Sequence, residues 1–178
     1  MSDVEQALES VDEKYIIDHH QKSIRTPCEN PPGHYDDIIE FYKSELSAIG
    51  MKASVVGTSH WPSILGRLRG SEGKPSLIFA GHMPTVPVGP REKWTVDPFG
   101  GEIKEGKIYG RGSIDQRGGI TASIAAAKAV IDSGVKLRGD LLILGFSGAG
   151  SVTTGVEWLV KNNPQTVRAD LGISTEPT

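Results

Sequence analysis

The stretch Ser76-Leu77-Ile78-Phe79-Ala80-Gly81-His82 constrains the fold more than any other. Its centre, Leu77–Ala80, is apolar at every position rather than at alternate ones. A strand of that kind is covered on both faces, as in the middle of a parallel or mixed sheet. It ends in a histidine. In open α/β sheets, ligands bind beyond the carboxyl ends of the strands, so the strand that fixes the architecture also marks where chemistry would sit.

The rest of the chain fits such a sheet. Residues 52–57 and 64–70 alternate as half-buried strands, and Asp140–Phe146 and residues 169–174 read as further strands. Val4, Leu8, Val11, Tyr15, Ile16 and His19 recur at helical spacing, which predicts one amphipathic helix from residue 4 to about residue 23. Pro27, Pro31, Pro32 and Gly33 break that pattern, and a second helix is expected over 34–49, stopped by Gly50. Residues 102–112 predict a hairpin turning at Glu105-Gly106, after a long proline-containing loop with Trp94. Helices are expected at about 115–133 and 152–162. Strands alternating with helices give an α/β fold: a mixed, mostly parallel sheet flanked by helices. The 178 residues suffice for one domain with a core, and neither repeats nor low-complexity tracts are present. Because the chain stops at Thr178, just past its last strand, the domain reads as truncated.

Charge and cysteine content narrow the function classes. With 19 basic and 22 acidic residues and no basic stripe, nucleic acid is not an expected partner. Cys28 is the only cysteine, so no internal disulfide can form. The acidic N-terminus lacks a signal-peptide pattern, and no apolar stretch is long enough to span a bilayer, so no membrane association is expected. The reading is a cytoplasmic protein.

Three polar residues stand at strand ends or their equivalents: His82, Asp115 at the start of the Ala-rich helix, and Glu176 after the final strand. An imidazole and two carboxylates are a ligand set that zinc accepts, with water in an open position; cobalt or manganese also accept it. Each also has an ordinary reading. His82 could be a hydrogen-bonded loop residue, Asp115 a helix cap, and Glu176 a solvated charge. Other chemistry finds less support. Ser147 and Ser151 lie outside any G-x-S-x-G elbow. The segment 110–119 lacks the lysine and spacing of a phosphate-binding loop. His19 and His20 are expected at the surface or half-buried, and His60 with Trp61 in a packing role. Arg111 has two readings, a carboxylate holder or a support for the Asp115 loop.

From SLIFAGHMPTVP through KWTVDPFGGEIKEGKIYGRGSIDQRGGI to RADLGISTEPT, the chain resembles a family of zinc-dependent amidohydrolases and peptidases. That family includes acetylornithine deacetylase, succinyl-diaminopimelate desuccinylase, aminoacylase and glutamate carboxypeptidase. The resemblance implies a zinc-aminopeptidase-like catalytic domain and hydrolysis of the amide bond of an N-acyl amino acid or small peptide. It assigns His82 as a zinc ligand, Asp115 as the bridge between two zinc ions, and Glu176 as a ligand of the same zinc as His82.

The sequence departs from that pattern in three places. Where the family has an aspartate to orient the metal-bound imidazole, Pro84 stands and offers no side-chain acceptor. Loss of such a partner typically costs about 10- to 100-fold in metal affinity or activity. Where the family has a Glu-Glu pair, the general base and a ligand of the second zinc, Ala149 and Gly150 stand. Glu157 lies further on, expected in a helix at the surface. Finally, the family's dimerisation and lid domain, and the late histidine by which its catalytic domain binds the second zinc, have no counterpart in residues 1–178. The resemblance therefore implies a single partial catalytic domain with one residual metal site, no competent catalytic residue, and severely impaired or absent activity. The alternatives are a non-catalytic binding or interaction module, or a half completed by another chain, with a homo-oligomer or a complementing chain as partner.

Overall fold

In the computed structural model, residues 1–148 and 153–177 are described. A five-stranded sheet carries the molecule, formed by β1 (Lys52–Gly57), β2 (Pro62–Leu68), β3 (Gly73–His82), β6 (Gly139–Phe146) and β7 (Leu171–Ser174) in the order β1-β2-β6-β3-β7. β3 pairs in parallel with both β6 and β7, whereas β2 runs antiparallel to its neighbours β1 and β6. Only β2 thus runs against the others, and the expected mixed, mostly parallel sheet is present. β4 (Glu102–Lys104) and β5 (Lys107–Tyr109) form a separate hairpin. Its turn residues Glu105 and Gly106 both have positive φ, 52° and 72°, matching the twist of a tight two-residue turn.

Helices cover both faces, as the apolar run in β3 requires. On one face, Ile38, Tyr42 and Leu46 of α3 (Asp36–Ala48) and Ile120, Ile124 and Ala127 of α4 (Arg117–Asp132) pack with Ile64 and Ile143. Leu77 and Phe79 of β3 lie against this cluster. On the other face, Leu159 of α5 (Thr154–Asn162) packs with Leu65, Leu142 and Leu144, with Ile78 and Ala80 against them. Burying each of these large side chains stabilises the fold by about 1.5–3 kcal/mol. A short helix, α6 (Pro164–Val167), follows α5 and was not expected from the sequence.

The single helix expected from residue 4 to about 23 is instead two, α1 (Asp3–Glu9) and α2 (Glu13–Ile24). Local caps override the shared periodicity. Ser2 and Glu5 form a reciprocal capping box on α1, and the Asp12 side chain accepts from Tyr15 N–H to start α2 afresh. The placement of His19 and His20 also differs from expectation. They are 1% and 8% exposed, because α2 packs against α4 and presents both rings to it. His19 Nδ1 lies 3.1 Å and His20 Nδ1 3.3 Å from the one hydroxyl of Thr121. Burial, with His20 and Lys22 adding to it, pushes the His19 pKa down to about 3.

Candidate metal centre

The carboxyl end of β3 delivers His82 to the sheet rim, and β7 runs parallel beside it. Their pairing extends past Ser174: Thr175 N–H donates to Ala80 O at 3.1 Å, which sets Glu176 beside His82. The third residue, Asp115, arrives on the turn that precedes α4. Two glycines let these segments meet. A Cβ on Gly81 would come within 2.8 Å of Ile120 and Thr175 side-chain atoms, and one on Gly119 within 2.5 Å of Thr175 O. No larger residue fits either crossing.

The three sequence candidates converge. One ligating atom from each of His82, Asp115 and Glu176 lies within 4.8 Å of the others. His82 Nε2 is 2.8 Å from Asp115 Oδ1 and 3.7 Å from Glu176 Oε2. The imidazole is buried, while both carboxylates are exposed to the cleft. Asp115 does not cap α4; the N-cap is Gln116, which makes no side-chain cap bond.

Pro84 corrects the reading that nothing at this position can orient the imidazole. His82 Nδ1 lies 2.7 Å from the Pro84 backbone carbonyl oxygen. A carbonyl only accepts, so the bond requires the proton on Nδ1. This leaves Nε2, on the carboxylate side, to carry a second proton or to offer its lone pair to a cation. A backbone carbonyl is one of the ordinary partners of a metal-binding histidine. The donor set therefore suits a divalent cation: one borderline nitrogen and two hard carboxylates, with solvent access left open.

Two positioning residues escaped the sequence reading. Gln116 is buried and its side-chain oxygen accepts from the His82 backbone N–H. Arg117 is 0% exposed, and its guanidinium donates to Met83 O (3.1 Å), Thr26 O (2.8 Å) and Ser23 O, clamping the chain after His82 to the end of α2. Both look like first-turn residues of a surface helix; nothing local marks them as buried.

The cluster opens into a cleft of about 900 Å³, lined among others by Arg111, Ser113, Phe146, Thr153, Thr154 and Glu157. Glu157 is exposed, as expected, but stands on the wall of this cleft and accepts from the Thr153 hydroxyl. Ser147 is fully buried, which removes it as a nucleophile. Ala149, Gly150 and Ser151 lie outside the described residues.

A mostly parallel α/β sheet thus gathers an imidazole and two carboxylates at its carboxyl rim, a donor set suited to a divalent cation. Comparison with known proteins places it further. Residues 78–178 match peptidase family M20/M25/M40, and the chain belongs to that family. A succinyl-diaminopimelate desuccinylase of Parvibaculum lavamentivorans is 35% identical over 128 residues, covering 72% of this chain and 32% of that protein. Another desuccinylase, from Xanthobacter autotrophicus, is 34% identical over 164 residues, 86% of this chain and 42% of the relative. This chain thus spans less than half the length of these relatives. In fold it is similar to the M20 family metallo-carboxypeptidase Sso-CP2 of Sulfolobus solfataricus, with TM-score 0.82, 23% identity, and coverage of 92% of this chain and 37% of that one. Human carnosine dipeptidase 1 gives TM-score 0.84 at 18% identity, covering 99% of this chain and 42% of its own.

Proposed function

We propose that residues 1–178 form one part of an amide-hydrolase catalytic domain and hold one divalent metal through His82, Asp115 and Glu176. Zinc is the metal we assign, with cobalt or manganese as substitutes. The observation that carries this reading is the convergence of the three ligating atoms within 4.8 Å, with His82 Nδ1 bonded away to Pro84 O. When bound, such a metal activates a water and polarises a carbonyl. The chain's own residues hold the imidazole in one tautomer and leave the cleft open to a small N-acyl amino acid or peptide.

The chain by itself is inactive or severely impaired. A positioned general base contributes about 10²- to 10⁴-fold. The described cleft carboxylates outside the metal cluster reduce to Glu157, which is engaged with Thr153. The position the resemblance gives to the base is Ala149. Deacylase assays on N-acetyl amino acids with zinc-supplemented protein should show no turnover above buffer; robust zinc-dependent turnover overturns this. Calorimetric titration should show one zinc per chain, lost in His82→Ala; no binding, or binding indifferent to that change, removes the metal assignment.

A second reading is that the domain is completed by further polypeptide, and one feature supports it. All four residues of the edge strand β7 are exposed, with Leu171 at 60% and Ile173 at 47%. An unpaired apolar edge is a template for another strand. Co-purification of a polypeptide that restores turnover would support it. We assign the protein to the cytoplasm; among the described residues no helix is long and apolar enough to cross a membrane.

A further inference from the structure

A buried line of polar groups leads from α2 to the turn that carries Asp115. His19 and His20 both face inward, and their Nδ1 atoms meet at one hydroxyl, Thr121 Oγ1 on α4, at 3.1 Å and 3.3 Å. The Ser113 backbone hydrogen-bonds the His20 ring from that turn. Ring and turn close on Gly118, where a Cβ would come 2.7 Å from Ser113 O and 3.8 Å from His20 Cε1. At the other end, His19 Nε2 is enclosed with no partner among the described residues. The rings of Tyr15, Phe41 and Tyr42 surround it, with centroids 5.6, 5.2 and 6.1 Å from that of His19.

Counting protons gives this line a direction. Burial lowers both histidine pKa values, so near neutral pH each ring has one donor and one acceptor nitrogen. The Ser113 contact works against burial at His20, which marks its partner as the carbonyl, a group that only accepts. With Nδ1 turned to Thr121, the proton facing Ser113 O is the one on Nε2. His20 Nδ1 then offers a lone pair, and the single hydroxyl proton of Thr121 goes to it. His19 Nδ1 shares that hydroxyl oxygen and must donate to it, which leaves His19 Nε2 as an acceptor among the aromatic rings. The reverse order would set a nitrogen lone pair against the Ser113 oxygen and leave a buried N–H of His19 without an acceptor.

The ordered line ends two residues before a metal ligand. The Asp115 carboxylate meets His82 Nε2 at 2.8 Å, and its place depends on the turn that carries it. We infer that His20 is a positioning residue for Asp115: its Nε2–H, oriented by Thr121 and behind it His19, holds the Ser113 carbonyl and so the turn that presents the carboxylate to the metal. This rests on the reading of His82, Asp115 and Glu176 as a metal centre. His20 is no part of the cleft lining, and no proton moves along the line in this role.

Two measurements test it. Long-range proton–nitrogen correlation NMR on the nitrogen-labelled native chain reads the tautomers directly. Near neutral pH it should show His20 protonated at Nε2 and His19 at Nδ1; a proton on His20 Nδ1 overturns the inference without any substitution. The second is the calorimetric zinc affinity of His20→Met and His20→Gln, side chains of similar size of which only glutamine can donate to Ser113 O. His20→Met should bind zinc about tenfold more weakly, the scale of a lost orienting partner, and His20→Gln should recover most of that loss. Equal losses in the two variants would mean that His20 only fills space, and overturn the inference. Should neither variant fold, the tautomers decide. Native zinc affinity in His20→Met removes the positioning role and leaves the metal centre standing. No zinc binding to the native chain removes the metal centre, while the stated tautomers still leave His20 holding the turn.

Discussion

His82 Nδ1 lies 2.7 Å from the carbonyl oxygen of Pro84, two residues further along the same loop. The side chain that would orient an imidazole is missing, yet the backbone at the same position supplies the acceptor. Pro84→Ala keeps that carbonyl. Its zinc affinity should fall by less than the roughly tenfold expected for losing an orienting partner. His82→Ala should abolish binding. Calorimetry on the two variants checks this, and a Pro84→Ala loss as deep as that of His82→Ala would show that the carbonyl does not orient the ring.

Arg117 joins Met83 O to Ser23 O and Thr26 O from a fully buried position. Arg117→Met fills similar space but leaves buried carbonyls without donors, at about 1–3 kcal/mol for each one that water cannot reach. Urea denaturation should report a loss of at least about 2 kcal/mol. Because the clamp holds the chain after His82, zinc affinity should fall as well. Unchanged stability and affinity would place the guanidinium outside the site's support.

The buried pair His19 and His20 makes stability sensitive to acid. Both pKa values are lowered, first by burial, that of His19 to about 3. An unfolded histidine titrates near 6.5. Below about that pH the unfolded chain binds more protons than the folded one, so stability falls as pH falls. It is fully present above the unfolded value and is lost toward the folded one, at about 1.4 kcal/mol per unit for His19 within the window. Urea midpoints between about pH 7 and pH 5 should decline in the native protein, and His19→Gln should flatten the decline. Parallel curves for the two proteins would show that His19 does not carry the effect.

Glu157 stands on the cleft wall but outside the three-residue cluster. Glu157→Gln should leave zinc stoichiometry and affinity unchanged. If any deacylase turnover is present in the native chain, the same substitution should leave it unaltered. A loss of turnover in Glu157→Gln with zinc binding intact would make Glu157 the base and refute the proposed impairment.

The sheet was legible because its signal is local. The unbroken apolar run at Leu77–Ala80 requires cover on both faces, and α3, α4 and α5 provide it. The hairpin at Glu105-Gly106 was equally legible, since a two-residue turn is written in its own residues. The apolar spacing runs unbroken across Asp12, and a side-chain cap decided the break there.

By itself the sequence determined the kinds of residue at the strand ends, His82, Asp115 and Glu176, and the absence of an acid at Pro84 and Ala149. Whether those three meet depends on strand order. β7 pairs beside β3, and Gly81 and Gly119 allow the segments to touch, relations between residues far apart in the sequence. The tertiary structure alone decided that the Pro84 backbone orients His82, that Arg117 and Gln116 are buried supports, and that His19 and His20 face inward. The reason is physical: periodicity records which side of an element is apolar. A hydrogen bond or a buried charge is settled only by what packs against it.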